Sequence, residues 1–365
     1  MGGGVEFPER LCYNERRRNE RRAAACRGVR GLNTRERFLR TMNFEKVDRL
    51  PMLEWATWWD KTVTRWKEEG LVIPPRPGMG EGEALQLMMG LDLHLQTWVG
   101  FRTAATPQPA YHGAPIVTSM EEYERVKPTL YPERPLNDER MCFIADMQKK
   151  GDAVAWITLE GPFWGPRTLL GIEPHLFAFY DEPELMHAIN RDLADYNMRV
   201  YEQVCEYFVP DFMTFAEDMS YNNGPMLSEA LFDEFLLPYY REMIPPIRAR
   251  GTRVFIDSDG DITLALPWFA RAGIEGILPL ERQAGVDLEK LRKTHPNFLF
   301  IGHFDKMTMP HGEAAMRAEF ERLLPVMRQG GFAPSVDHQT PPGVSLENYH
   351  IFLKLFREYT EKAAE

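Results

Sequence analysis

Arg253-Val254-Phe255-Ile256-Asp257-Ser258-Asp259-Gly260-Asp261 is the stretch on which the fold turns. A short run with β-branched and aromatic members ends in acids and a glycine. Such a run, bounded by a turn signal, reads as a buried strand. The same pattern recurs on both sides. Upstream, Ala153 to Leu159 ends at Glu160-Gly161-Pro162, and Phe212-Met213-Thr214-Phe215 ends at Glu217-Asp218. Downstream, Gly276 to Leu280 ends at Glu281-Arg282, and Phe298-Leu299-Phe300-Ile301 at Gly302-His303-Phe304-Asp305-Lys306. Gly331 to Ser335 ends at Asp337-His338. Amphipathic segments separate the runs, predicting helices over Pro183 to Phe208, Leu288 to Thr294, Glu313 to Arg328 and from Ser345 onward. A further helix spans Ser228 to Arg250, with kinks at Pro238 and Pro245-Pro246. This alternation means βαβ units and a parallel sheet: an α/β chain folded as a (β/α)8 TIM barrel with an N-terminal helical extension.

The N-terminal half is less regular. Thr34 is positioned to cap a helix through Phe38, Leu39 and Met42. Arg49 to Trp55 reads as the first strand, followed by a helix rich in Trp58, Trp59 and Trp66. Residues from Asp92 to about Val126 predict a hairpin excursion beside the barrel. Residues 1–33 stand apart from the barrel domain, 34–365. Arg16, Arg17, Arg18, Arg21 and Arg22 cluster there with Glu15 and Glu20. Mixed charge argues for a solvated helix or tail, not a transit peptide. The alternative is an arm on a partner subunit, hence a homodimer.

The 365-residue chain carries a formal charge of -11, which disfavours nucleic-acid binding. Four scattered cysteines without a CxxC pair read as reduced thiols in a cytoplasmic protein. No apolar run is long enough for a bilayer, and no signal peptide is evident. GxxxxGK[ST], a strand-borne GxGxxG and GxSxG are all missing, which disfavours nucleotide kinases, Rossmann oxidoreductases and α/β-hydrolases.

In a closed barrel the strand ends converge on one mouth, and here they carry the acids and histidines. Asp257 and Asp259 alternate onto one side of their strand. With His338 they form two carboxylates and an imidazole, a set suited to a divalent metal such as zinc, manganese or iron(II). The competing reading is an Asp-Gly turn in which Asp257 or Asp259 caps the next helix, Asp261 being the better cap. His303 and Glu217 are positioned for acid–base or orienting work, with Asp259 as the third catalytic candidate. Trp58, Glu160, Asp218, Tyr221, Asn222, Arg282 and Asp305 are the substrate-binding candidates.

The chain after residue 34 resembles the uroporphyrinogen decarboxylase superfamily. The resemblance rests on Thr34-Arg35-Glu36-Arg37, Val47-Asp48-Arg49-Leu50-Pro51, Glu217-Asp218 and Asp257-Ser258-Asp259-Gly260. It continues through Gly302-His303-Phe304-Asp305, Gly330-Gly331-Phe332 and Pro341 to Asn348. It implies a TIM barrel. The Arg-Gln-Ala-Gly-Arg motif of true uroporphyrinogen decarboxylases is replaced after the first strand by Glu54-Trp55-Ala56-Thr57-Trp58-Trp59. The corrinoid-linked methyltransferase branch is therefore the nearer one. Where that branch holds zinc with His-x-Cys and a later Cys, this chain has Asp257, Asp259 and His338. A change from soft to hard ligands implies a Lewis acid acting on oxygen. The function implied is metal-assisted methyl transfer from an O-methyl or N-methyl donor to a corrinoid protein. A metal-independent lyase or decarboxylase using Arg167 and Arg282 is the alternative, and a non-catalytic binding module the third reading.

Overall fold

The computed structural model describes residues 31–365; the arginine-rich extension lies outside the described residues apart from its last three positions. Its centre is a seven-stranded, wholly parallel sheet. The strands are β1 (His94–Val99), β2 (Val154–Glu160), β3 (Phe212–Ala216), β6 (Arg253–Asp257), β7 (Gly276–Leu278), β8 (Leu299–Phe304) and β9 (Phe332–Val336), hydrogen-bonded in that order. β4 (Ser220–Tyr221) and β5 (Gly224–Pro225) form a small antiparallel ribbon above β3. Helices cross over between successive strands, as parallel pairing requires.

The sheet curls, and residues 50–58 lie between its two edges. The Asp92 amide donates to the Met52 carbonyl ahead of β1. On the other side, Trp55 donates from its backbone to Ser335 Oγ and from its indole to the Val336 carbonyl. Trp58 pairs in parallel with Thr340. This is the segment expected as the first strand, yet it forms no ladder. Pro51 has no N–H to give, Thr57 sits at a φ of 59°, and the Glu54 carboxyl takes the Val336 amide. Side chains thus replace backbone pairing. The expected hairpin excursion is corrected too: His94–Val99 pairs in parallel with β2 over all six residues.

Strand alternation divides the sheet into two faces. The inner face packs Val154, Trp156, Phe212, Phe255, Leu278, Leu299, Ile301 and Ala333 around Phe38 and Met42. Those two come from the helix Thr34–Met42, which plugs the bottom of the curl. The N-cap is Asn33, which forms a capping box with Glu36; Thr34 is the first helical residue. The outer face meets the crossover helices in a much larger apolar cluster. Beneath the sheet, buried Asp92 accepts hydrogen bonds from Arg37, Arg49 and the Met52 amide. Asp48 holds the other edge of Arg37. The Thr34–Arg37 and Val47–Pro51 motifs are therefore a knot that closes the base. The segment Ser228 to Arg250 divides into helices Glu229–Phe235 and Leu237–Ala249; Pro238 sits in the first turn of the second, where a missing N–H costs nothing. Among the described residues no helix is long and apolar enough to cross a membrane.

Candidate metal centre

Above the apolar plug the inner face turns polar. Gln96 donates to Thr158, Thr158 and Thr214 share a 2.7 Å bond, and the Trp156 indole donates to Thr214. One layer higher the same parity brings Glu160 on β2 and Asp257 on β6.

Asp218, Asp257 and Asp259 converge there, each offering an oxygen within 4.8 Å of the others. The backbone arranges this locally. Asp218 adopts a φ of 42°, a left-handed conformation unusual for a residue with a Cβ. It is held there because the Glu217 and Asp218 amides both donate to the Asp257 carbonyl. Arg167 donates to the Asp218 carbonyl from the other side. Gly260, at a φ of 82°, lets the chain turn under Tyr221; a Cβ would stand 2.7 Å from the Tyr221 backbone. Its amide donates to Glu281. Asp261 caps only its own turn, through the Thr263 amide, and neither Asp257 nor Asp259 caps a helix.

Three carboxylates so close oppose one another's ionisation. Asp257 is pushed well above the usual carboxylate range by burial and by its two neighbours. Asp259 rises to about 7 through burial, then Asp218 and Glu281, with Lys306 pulling the other way. Asp218 is raised as well, chiefly by burial. His338 Nε2 lies 3.6 Å from Asp259 Oδ2, and its ring meets Trp55 edge-on at 5.8 Å. Burial and Lys306 lower the His338 pKa, favouring the neutral imidazole that can ligate a metal. Lys306 is near Glu281 (3.7 Å) and Asp337 (3.5 Å). Asp337 accepts the Arg282 and Lys306 amides and is raised to about 6, mainly by burial. The donor set is oxygen-rich with one nitrogen, which fits a hard or borderline divalent cation.

The expected metal set of Asp257, Asp259 and His338 is thus modified. Asp218, expected among the substrate residues, belongs to the tight triad; His338 stands at its edge beside Asp259. The two acid–base candidates sit elsewhere. Strand parity would turn His303 inward, but Gly302 (φ 110°) and His303 (φ 72°) reverse the alternation. The ring is buried behind the sheet, with Nδ1 on the Leu280 carbonyl and Nε2 facing the Arg322 guanidinium. Burial and Arg322 lower its pKa to about 3, so it stays neutral with no free nitrogen. Glu217 is buried too: one oxygen accepts the Phe163 and Trp164 amides, the other the Tyr240 hydroxyl. It anchors the start of the helix Trp164–Leu170.

Of the substrate candidates, Glu160 sits at the top of β2 and Tyr221 is half exposed above Gly260. Asn222 occupies the exposed turn of the ribbon. Arg282 spends one side-chain donor on the Val286 carbonyl, and Asp305 caps the turn Lys306–His311. Trp58 is not a wall of the mouth; it packs against Trp66 and Tyr349 in the outer core. Trp55 and Trp98 hold the inward positions instead. Counting by twos along each strand end would have found them, because Leu53 and Trp55 share parity, as do His94, Gln96 and Trp98.

The uroporphyrinogen decarboxylase (URO-D) family model matches residues 109–359. Among solved structures, a methyltransferase from Methanosarcina mazei superposes with a TM-score of 0.61 at 16% identity, covering 90% of this chain and 99% of that one. At that identity the likeness speaks to fold. A B12-independent methionine synthase from Shewanella sp. W3-18-1, in complex with selenomethionine, gives a TM-score of 0.34 at 10% identity over 63% of this chain and 67% of that one, and carries no weight. No curated protein matches the chain.

Proposed function

This chain belongs to the uroporphyrinogen decarboxylase family, and from that premise we propose that it is a methyltransferase of the corrinoid-linked kind, acting on an O-methyl or N-methyl donor. The similarity to the Methanosarcina mazei methyltransferase supports the reading. So does the curled, wholly parallel seven-stranded sheet, which has residues 50–58 lying between its edges. The observation that carries it is the triad of Asp218, Asp257 and Asp259, whose repulsion a divalent cation such as zinc would relieve.

Asp218, Asp257 and Asp259 would hold the metal, with neutral His338 beside them. A divalent cation so held supplies Lewis acidity toward the heteroatom that loses its methyl group. Trp55 fixes the His338 ring from one side. Lys306 balances Glu281 and Asp337, leaving the triad's charge for the ligand. The Trp98 and Tyr221 side chains, each about half exposed, offer aromatic faces at the rim for an apolar donor or for the corrinoid protein. The decarboxylase alternative fits less well. Asp218, Asp257, Asp259, Glu281 and Asp337 would repel a carboxylated substrate, and Arg167 and Arg282 are spent in part on backbone carbonyls.

Two measurements test this. Zinc, manganese and iron(II) are titrated into metal-free protein and into Asp259→Ala; stoichiometric binding lost in the variant is expected. Methyl transfer from a panel of methoxyarenes and methylamines to cob(I)alamin is then followed by absorbance. Carbon dioxide release from a carboxylic acid without any corrinoid would overturn the proposal.

A further inference from the structure

With His303 turned behind the sheet and Glu217 bonded to three donors, the proposed reaction lacks a proton source. An ether oxygen leaves poorly as an anion. Among the described residues Glu160 is an inward acid set apart from the triad and from the Glu281–Lys306–Asp337 group beside it. Glu160 closes β2 on the inner face, continuing the parity of Val154, Trp156 and Thr158. Its register partner is Ala216, whose own partner is Asp257. Glu160 and Asp257 are therefore level, two strands apart, with Cα atoms roughly 10 Å from each other at ordinary strand spacing. That separation leaves room for a small donor between them. Glu160 is 7% exposed, and its Oε2 has no hydrogen-bond partner among the described residues. A buried carboxyl oxygen left unpaired is costly, and such sites call for a functional account. Asn197 fixes the strand end by donating to the Glu160 carbonyl.

We propose that Glu160 is a catalytic residue, the acid that protonates the leaving heteroatom of the methyl donor. This rests on the methyl-transfer reading. In the step, an electron pair from the reduced corrinoid forms the new bond to the methyl carbon. The carbon–oxygen bond breaks with its pair staying on oxygen. That oxygen takes the proton of Glu160, which is left as a carboxylate. The surroundings are suited to this. Trp98 and Arg102 face Glu160 from β1 and the segment after it, Tyr196 from the long helix Pro183–Tyr207 and Tyr131 from the loop behind. Burial outweighs Arg102 and Trp98 and lifts the group to about 7, where an acid and its conjugate base are both accessible.

The test has two arms. In the first, wild type and Glu160→Gln transfer methyl groups to cob(I)alamin from a methoxyphenol and from 4-nitroanisole, whose phenolate leaves readily unprotonated. The variant should lose about 10²- to 10⁴-fold in kcat on the methoxyphenol with KM little changed, the range for a lost general acid. It should lose far less on nitroanisole, and its activity should no longer fall above neutral pH. Equal losses on both ethers, or none, overturn the role. In the second arm, the infrared difference between wild type and Glu160→Gln is followed with pH. A protonated carboxyl band titrating near neutrality is expected. Its absence at pH 6 overturns the proposal even if neither ether is a substrate, an outcome that by itself would count against methyl transfer.

Discussion

Replacing Glu54 by glutamine should stabilise the protein at alkaline pH and hardly change it at acid pH. Glu54 is fully buried between residues 50–58 and β9, where it accepts from the Val336 amide and the Ser335 hydroxyl. Among the described residues no basic side chain compensates it. Burial lifts its pKa to about 8, with Asp337 adding a small push and the hydrogen bonds acting against it. The folded pKa is thus raised above the unfolded value. Such a group's contribution is fully present below the unfolded value, near 4.5, and is lost as pH climbs toward the folded value. At pH 7 the unfolded chain gains from ionising a group that the folded chain keeps protonated. One unit corresponds to about 1.4 kcal/mol, so the 2.5 units between 4.5 and pH 7 cost about 3 kcal/mol. Glutamine keeps the carbonyl that accepts from Val336 and removes the ionisation. Urea denaturation of both proteins at pH 5, 7 and 8 gives the comparison. The variant should gain little at pH 5, about 3 kcal/mol at pH 7 and about 4 kcal/mol at pH 8, before any loss from imperfect amide packing. A pH-independent difference would refute the argument, because it would mean that Glu54 is ionised in the folded protein or reached by a cation.

Three other outcomes follow from the same physics. His94, buried inside the curl against Trp156, is lowered to about 4 by burial, so its contribution is present above 6.5 and lost as pH falls toward 4; His94→Phe should recover about 3 kcal/mol of stability at pH 4 relative to pH 7, read from urea midpoints. Gly302→Ala should not yield soluble protein, since the new Cβ would stand 2.0 Å from the Pro279 carbonyl oxygen at a φ of 110°; normal expression and melting would contradict it. Asp92→Ala leaves Arg37 and Arg49 without their shared carboxylate and should cost about 3–5 kcal/mol by thermal or urea unfolding, the range for stripping one partner from a buried ion pair.

The division between what could be read and what could not follows the range of the interactions. Short apolar runs alternating with amphipathic stretches specify βαβ units locally, because burial on both faces demands such runs. β2, β3, β6 and β9 therefore stand within a residue or two of where the sequence puts them, and β8 runs three residues further. β1 escaped because its inner positions, His94, Gln96 and Trp98, are polar or only partly covered, so it lacks an apolar run. Residues 50–58 misled in the opposite way: their apolar character is real, but Glu54 and the Ser335 hydroxyl take over the pairing.

At the mouth, the chain alone determined which acids exist and that they follow strands. Which ones meet was decided by backbone angles that no periodicity reveals. Asp218 joins Asp257 and Asp259 because it is held left-handed by the Asp257 carbonyl. His303 leaves because Gly302 permits a reversal that strand parity forbids. Local composition determines what a segment can become; long-range hydrogen bonds choose which side of the sheet each functional side chain faces.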